Sequence, residues 1–255
     1  MILIIFLIFL IIYLFYNNEN FININESLYI DYNVIHVKNT EKKNNIINNE
    51  QILGKKINIF NGIKGDDINL NKLDMYDPNI KLNYTFKTKN ELGCYLSHFL
   101  LIKNALKSKK KYTVIFEDDF TIETRNLHQE ILDIIEKVDD NFDIIYLGNL
   151  YESKSVKIID NIYKKSNIIP LIGAHALLIN NKNAKKIFDY IVNINCEIDI
   201  KLSNLIDQNK INYYIIYPSL VNQNNNFKSS LRSKFYILRR NILQTIQKIF
   251  NEIID

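Results

Sequence analysis

Cysteine is nearly missing from this chain: Cys94 and Cys196 are the only two in 255 residues. They are far apart and lack metal-ligand spacing, which excludes a cysteine-built zinc module and a disulfide-rich scaffold. They read as two buried thiols, with a single disulfide as the alternative. Concentrated positive charge is missing too. The 32 basic and 28 acidic residues leave a net charge of +4, and outside Lys109, Lys110 and Lys111 the lysines are scattered without interleaved aromatics, so no nucleic-acid partner is expected. No alanine precedes Ala105 and no lysine or arginine precedes Lys38. Both absences bear on the apolar run over residues 1–16. A spanning helix takes about 20 apolar residues, and a signal peptide wants a basic start and a small-residue cleavage site. Residues 1–20 therefore read as a short membrane anchor in preference to a signal-peptide core, and the lack of flanking charge leaves the orientation open.

What is present suits one main core: 47% of residues are hydrophobic. After a linker over residues 21–30, "LYIDYNVIHVK" reads as a strand, followed by a polar helical stretch through Leu53 and a second strand in "KKINIFNGIKGDDIN" closed by turn residues. Residues 69–89 have no clear period. "TKNELGCYLSHFLLIKNALK" is a buried helix, with Thr88 and Glu91 at capping-box spacing. Strands are expected at residues 112–116, in "FDIIYLG", "GAHALLIN" and "YYIIYP", and helices over residues 127–138, 184–191 and 199–206. The alternation predicts an α/β domain with a mostly parallel central sheet over residues 31–225. Residues 226–255 read as a C-terminal amphipathic helix with Arg232, Lys234, Arg239 and Arg240 near its start.

The apolar strand over residues 112–116 runs into Glu117, Asp118 and Asp119. In open α/β sheets the ligand crevice lies at the carboxyl ends of the strands. Two carboxylates about 4 Å apart repel by roughly 4 kcal/mol at an effective dielectric near 20, so a converging cluster needs water, a basic partner or a cation. Mg²⁺ and Mn²⁺ prefer such oxygens and bridge to phosphates. A metal held against a diphosphate is one reading; a solvated turn after a strand is the other.

The motifs around the cluster decide between them. "ELGCYLSH" at residues 91–98, "VIFEDD" at 114–119, "FDIIYLG", "GAHALLINNKNAKKI", "IDIKL" at 198–202 and "YPSLVNQ" at 217–223 together, in this order, resemble glycosyltransferase family 25, which includes the lipooligosaccharide β-galactosyltransferases and the procollagen galactosyltransferases. "VIHVKNTEKK" resembles the family's opening strand, but with His36 for the usual Asn and lysines for arginines, and Ala174 replaces a Thr. The resemblance implies a GT-A-like nucleotide-sugar-binding fold, a UDP-hexose donor and an inverting reaction. It also implies a glycan, a lipid-linked sugar or a collagen-like protein as acceptor.

On this basis Glu117, Asp118 and Asp119 are expected to hold Mn²⁺ or Mg²⁺, with Asp119 as the first direct ligand. His175 and Gly173 are expected at the donor, and Asn222 and Gln223 bound the donor or acceptor pocket. Asp199 is the candidate base for the acceptor hydroxyl, or alternatively a helix N-cap or an acceptor contact. His98 shares a helix face with Glu91 and is either near the donor or a satisfied buried histidine. With its anchor the enzyme would face a secretory or ER-like lumen. An inactive family member serving as a membrane-tethered scaffold, and a metal-dependent phosphohydrolase, are the competing classes.

Overall fold

The computed structural model describes residues 29–150, 155–165, 171–224 and 227. The expected anchor over residues 1–20, most of the linker and all but one residue of the expected C-terminal helix lie outside the described residues. Among the described residues no helix is long and apolar enough to cross a membrane.

Among the described residues twelve strands and five α-helices follow one another along the chain. The strands are β1 (Ile30–His36), β2 (Asn58–Asn61), β3 (Lys81–Leu82), β4 (Tyr112–Glu117), β5 (Phe120–Ile122) and β6 (Ile144–Gly148) in the first half. They continue as β7 (Ser155–Ile159), β8 (Ile162–Lys165), β9 (Ala176–Asn180), β10 (Asn193–Ile194), β11 (Tyr213–Ile216) and β12 (Val221–Gln223). The helices are α1 (Thr40–Leu53), α2 (Lys89–Ala105), α3 (Leu127–Lys137), α4 (Ala184–Ile191) and α5 (Ile198–Asp207). Among the described residues the expected strands and helices are found, with shifted ends. Residues 69–89 form two short 3₁₀ turns and β3, which pairs with β10.

Eight strands form one sheet in the order β2-β1-β4-β9-β6-β11-β8-β7. This sheet is mixed, which corrects the expectation of a mostly parallel one. The pairs β1/β2, β1/β4 and β6/β11 are parallel, whereas β9 runs against both β4 and β6, and β8 against both β11 and β7. The cause is where the chain enters β9. Ala176 pairs with Phe116 and Gly148, at the carboxyl ends of β4 and β6, so β9 can only run back between them. The β7–β8 hairpin also takes the place of a crossover helix, which a parallel return would need.

Side chains alternate across each strand, and the core divides accordingly. Ile115, Tyr146, Leu177 and Ile215 pack on one sheet face with α2, α4 and α5. Val114, Phe116, Ile145, Leu178 and Ile216 pack on the other with α1 and α3. Each fully buried side chain of this size contributes roughly 1.5–3 kcal/mol, so the two layers hold β4 rigidly between them. Helix α2 begins with the expected capping box: Thr88 Oγ1 accepts from the Glu91 amide at 3.3 Å, and Glu91 accepts from the Thr88 amide at 3.2 Å. Glu91 is thereby used as a cap. One turn later Gly93 lies against the loop before the helix; a Cβ there would sit 2.3 Å from the Ile63 carbonyl oxygen.

Candidate active site

The alternation that builds the core continues past the end of β4 and separates the three carboxylates. Glu117 follows Ile115 onto the α2 face, and Asp118 follows Phe116 onto the α1 face. Asp118 is met there by groups from β1 and α1. One oxygen accepts from His36 Nδ1 at 3.1 Å and from the Val37 amide at 3.2 Å; the other accepts from Lys42 Nζ at 2.5 Å. The side chains of Asp118 and Lys42 are only 8% and 14% exposed, so this is a buried ion pair. Burial pulls the Lys42 ammonium down, but the hydrogen bond to Asp118 and the charges of Asp119, Asp118 and Glu117 outweigh it and raise its pKa. Asn45 donates to the Asp118 and Phe120 carbonyls at 3.2 and 2.8 Å, and Asn49 accepts from the Ile122 amide at 2.9 Å. Helix α1 thus clamps the turn that carries the acidic run. The three carboxylates expected to share one ion are not brought together as a set: both Asp118 oxygens accept from the protein's own donors.

Glu117 and Asp119 do converge, and the residue that joins them is Gln223. Strand β12 pairs antiparallel with β5, setting Gln223 opposite Phe120. Its Nε2 lies 3.3 Å from Glu117 Oε2 and 3.2 Å from Asp119 Oδ1. The next amide, Asn224, donates to the Asp119 carbonyl at 2.6 Å. Asn222 points to the opposite side of β12 and is exposed, so it is not brought into this cluster. Lys42 Nζ is 3.9 Å from Asp119 and connects the two sides of the turn.

His175 lies immediately before β9 and is buried. Its carbonyl accepts from the Glu117 amide at 3.0 Å, and its Nε2 is 3.3 Å from the Val221 carbonyl oxygen. Gly148 makes this crossing possible, because a Cβ there would fall 1.8 Å from Val221 O and 2.7 Å from His175 Nε2. Gly173 has φ +109, in the region that favours glycine. Its amide hydrogen-bonds Asp199, whose carboxylate also accepts from the Ile200 amide at 2.8 Å. Asp199 sits in the first turn of α5, after the N-cap position held by Glu197. Burial raises its carboxyl above the ordinary range despite these amide donors. His98 is 0% exposed, beneath Glu117, with Nδ1 and Nε2 each 3.1 Å from a carbonyl oxygen, those of Cys94 and Ala174. Burial holds its pKa below the usual value against those two carbonyls. Cys94 and Cys196 are both free thiols. Burial pushes the Cys94 thiol up, followed by the charges of Glu117 and Asp199.

A divalent cation fits part of this set. Glu117 and Asp119 aim at one point now held by an amide nitrogen, and a half-turn of the Gln223 amide would present its carbonyl oxygen there instead. The resulting all-oxygen donors suit Mg²⁺ or Mn²⁺. Asp118 does not fit without releasing Lys42. His36, Lys42, Asn45 and Asn49 are absent from the residues expected at the site. The sequence signal for the first two was their position in "VIHVKNTEKK", where they stand as departures from the family pattern.

Comparison with known proteins gives the following. A family model described as glycosyltransferase family 25 (LPS biosynthesis protein) matches residues 30–202. Mouse procollagen galactosyltransferase 2 is 25% identical over 101 residues, covering 36% of this chain and 16% of that protein, so the matched stretch spans about one sixth of the relative's length. Among solved structures, a glycosyltransferase involved in glycosylation of the major capsid of PBCV-1 aligns over 74% of this chain and 82% of its own, at 9% identity and a TM-score of 0.41. The protein A197 from STIV aligns over 81% of this chain and 99% of its own, at 8% identity and a TM-score of 0.38. These two are broad likenesses and carry no weight for function. The family match spans β1 to the middle of α5 and includes every residue of the acidic run, and on it this chain belongs to glycosyltransferase family 25.

Proposed function

We propose that this glycosyltransferase moves a hexose, galactose or glucose, from a UDP-sugar to a hydroxyl of a glycan, a lipid-linked sugar or a collagen-like protein, with inversion and with Mn²⁺ or Mg²⁺ bound. The observation that carries this reading is the convergence of Glu117 and Asp119 on Gln223 at the carboxyl end of β4, in a chain of this family. A cation bound there would supply Lewis-acid stabilisation of the charge that develops on the leaving diphosphate.

The protein's own residues do the rest. Asp118, Lys42 and His36 fix the turn, so that Asp119 is delivered without being spent on packing. His175 and Gly148 seat β12 and hence Gln223. Asp199 takes the proton from the acceptor hydroxyl as the new bond forms; a carboxylate whose pKa is raised by burial is a stronger base than one in water. His98 lies beneath Glu117 and against the approach to β9, which is a positioning role. Residues 1–20 would anchor the catalytic domain to a membrane, facing a secretory or ER-like lumen.

The test is UDP release from a panel of UDP-sugars, with Mn²⁺ or with EDTA, by the purified protein and by Asp119→Asn. The expected result is release from one UDP-sugar that needs both the metal and Asp119. No release, together with no metal-dependent binding of any UDP-sugar, would instead indicate the inactive, scaffolding member of the family.

A further inference from the structure

We propose that Cys94, His98 and Glu117, completed by the carbonyl oxygen of Ala174, form a second metal site, selective for zinc(II), directly behind the carboxylate pair assigned to the donor. It rests on different atoms from that pair. Glu117 Oε2 faces Gln223 and Asp119, whereas Oε1 faces inward, 3.7 Å from Cys94 Sγ and 3.7 Å from His98 Nε2. The Ala174 oxygen is 3.1 Å from the same Nε2. Cys94, His98 and Glu117 form the one group of potential ligands of this kind among the described residues. Zinc bonds of about 2.0–2.3 Å in tetrahedral geometry set neighbouring ligand atoms roughly 3.3–3.6 Å apart; the two contacts of Glu117 Oε1 are slightly wider and the Nε2–Ala174 oxygen contact slightly tighter, so small side-chain shifts close the site. Cys94 and His98 are one helical turn apart on α2, so the helix itself sets their separation.

The histidine supplies an independent indication. A neutral imidazole carries one N–H, yet both ring nitrogens of this fully buried ring lie 3.1 Å from a carbonyl oxygen. With the proton on Nδ1, donated to Cys94 O, the Nε2 lone pair is left against the Ala174 oxygen. A cation between them turns that repulsion into two bonds, and the Nδ1–H to carbonyl bond is the usual outer contact that orients a metal-bound histidine. A thiolate, an imidazole and one carboxylate suit zinc better than Mg²⁺ or Mn²⁺. On binding, the Cys94 thiol gives its proton to solvent and its sulfur to the metal. Because Glu117 is shared, zinc draws its charge inward and weakens the outer site for Mn²⁺.

Cobalt(II) provides the probe, since a cobalt–thiolate bond gives an intense near-ultraviolet charge-transfer band that oxygen ligands do not. Full-length protein titrated with Co²⁺ should develop this band at one equivalent and lose it on addition of Zn²⁺. Cys94→Ser should abolish it, with Zn²⁺ affinity at least tenfold lower, while Cys196→Ser keeps it. A wild-type protein that shows no band would overturn the site, whatever Cys94→Ser does to folding. A band that survives Cys94→Ser and disappears in Cys196→Ser would overturn it equally. Neither spectrum depends on whether the protein transfers a sugar.

Discussion

Asp118 and Asp119 are neighbours in sequence and have different surroundings. Asp118 is turned onto the α1 face, where a lysine, a histidine and a backbone amide take both of its oxygens. Asp119 and Glu117 instead meet at the amide side chain of Gln223 on β12, where the proposed cation would bind. The difference follows from the two-residue period of a strand carried one step past its end. One charge is used to fix the turn, and on the proposed reading the other two are left for a ligand. A run of acidic residues is therefore better read by face than by count.

This division predicts effects of different kinds on its two sides. The largest belongs to Asp119→Asn, which should lower turnover about 10³-fold, the equivalent of ~4 kcal/mol of lost transition-state stabilisation, while thermal unfolding stays near that of the wild type. Asp199→Asn should lower kcat by about 10²-fold or more and remove the rising limb of the pH profile. Burial raises this carboxyl, and only its charged form accepts a proton, so the wild-type rate should climb with pH at values above the ordinary carboxylate range. Lys42→Met acts on the other side of the turn. It strands a buried carboxylate and should cost about 3–5 kcal/mol of stability, read as a fall in Tm of roughly 10 °C, and the Lys42→Met/Asp118→Asn pair should recover much of that loss. The smallest effect is expected for Gln223→Ala, about 10- to 100-fold in the Mn²⁺ concentration needed for half-maximal activity.

Much of this fold could be read from particular residues. The capping box of Thr88 and Glu91, the apolar faces of α2 and α3 and the all-apolar β4 each carry a local period, and each is found where that period puts it. Strand direction was not legible, because nothing local in "ALLIN" distinguishes a strand that returns between β4 and β6 from one that continues the parallel order. The β5–β12 pairing was equally silent: it joins three-residue strands about a hundred positions apart, and it sets how Gln223 reaches Glu117. The acidic run is legible, but its division is not, because Asp118 and Asp119 lie in the turn between β4 and β5. His36 and Lys42 were visible only as departures from a family pattern, whereas in the structure they are the partners that hold Asp118.

The most direct test of the division is Mn²⁺ binding in the presence of UDP, followed by electron paramagnetic resonance in the wild type, Asp119→Asn and Asp118→Asn. Bound Mn²⁺ that is lost in Asp119→Asn and retained in folded Asp118→Asn is the predicted result. Mn²⁺ that stays in Asp119→Asn and disappears in folded Asp118→Asn would contradict the account, because the ion would then sit where Lys42 does.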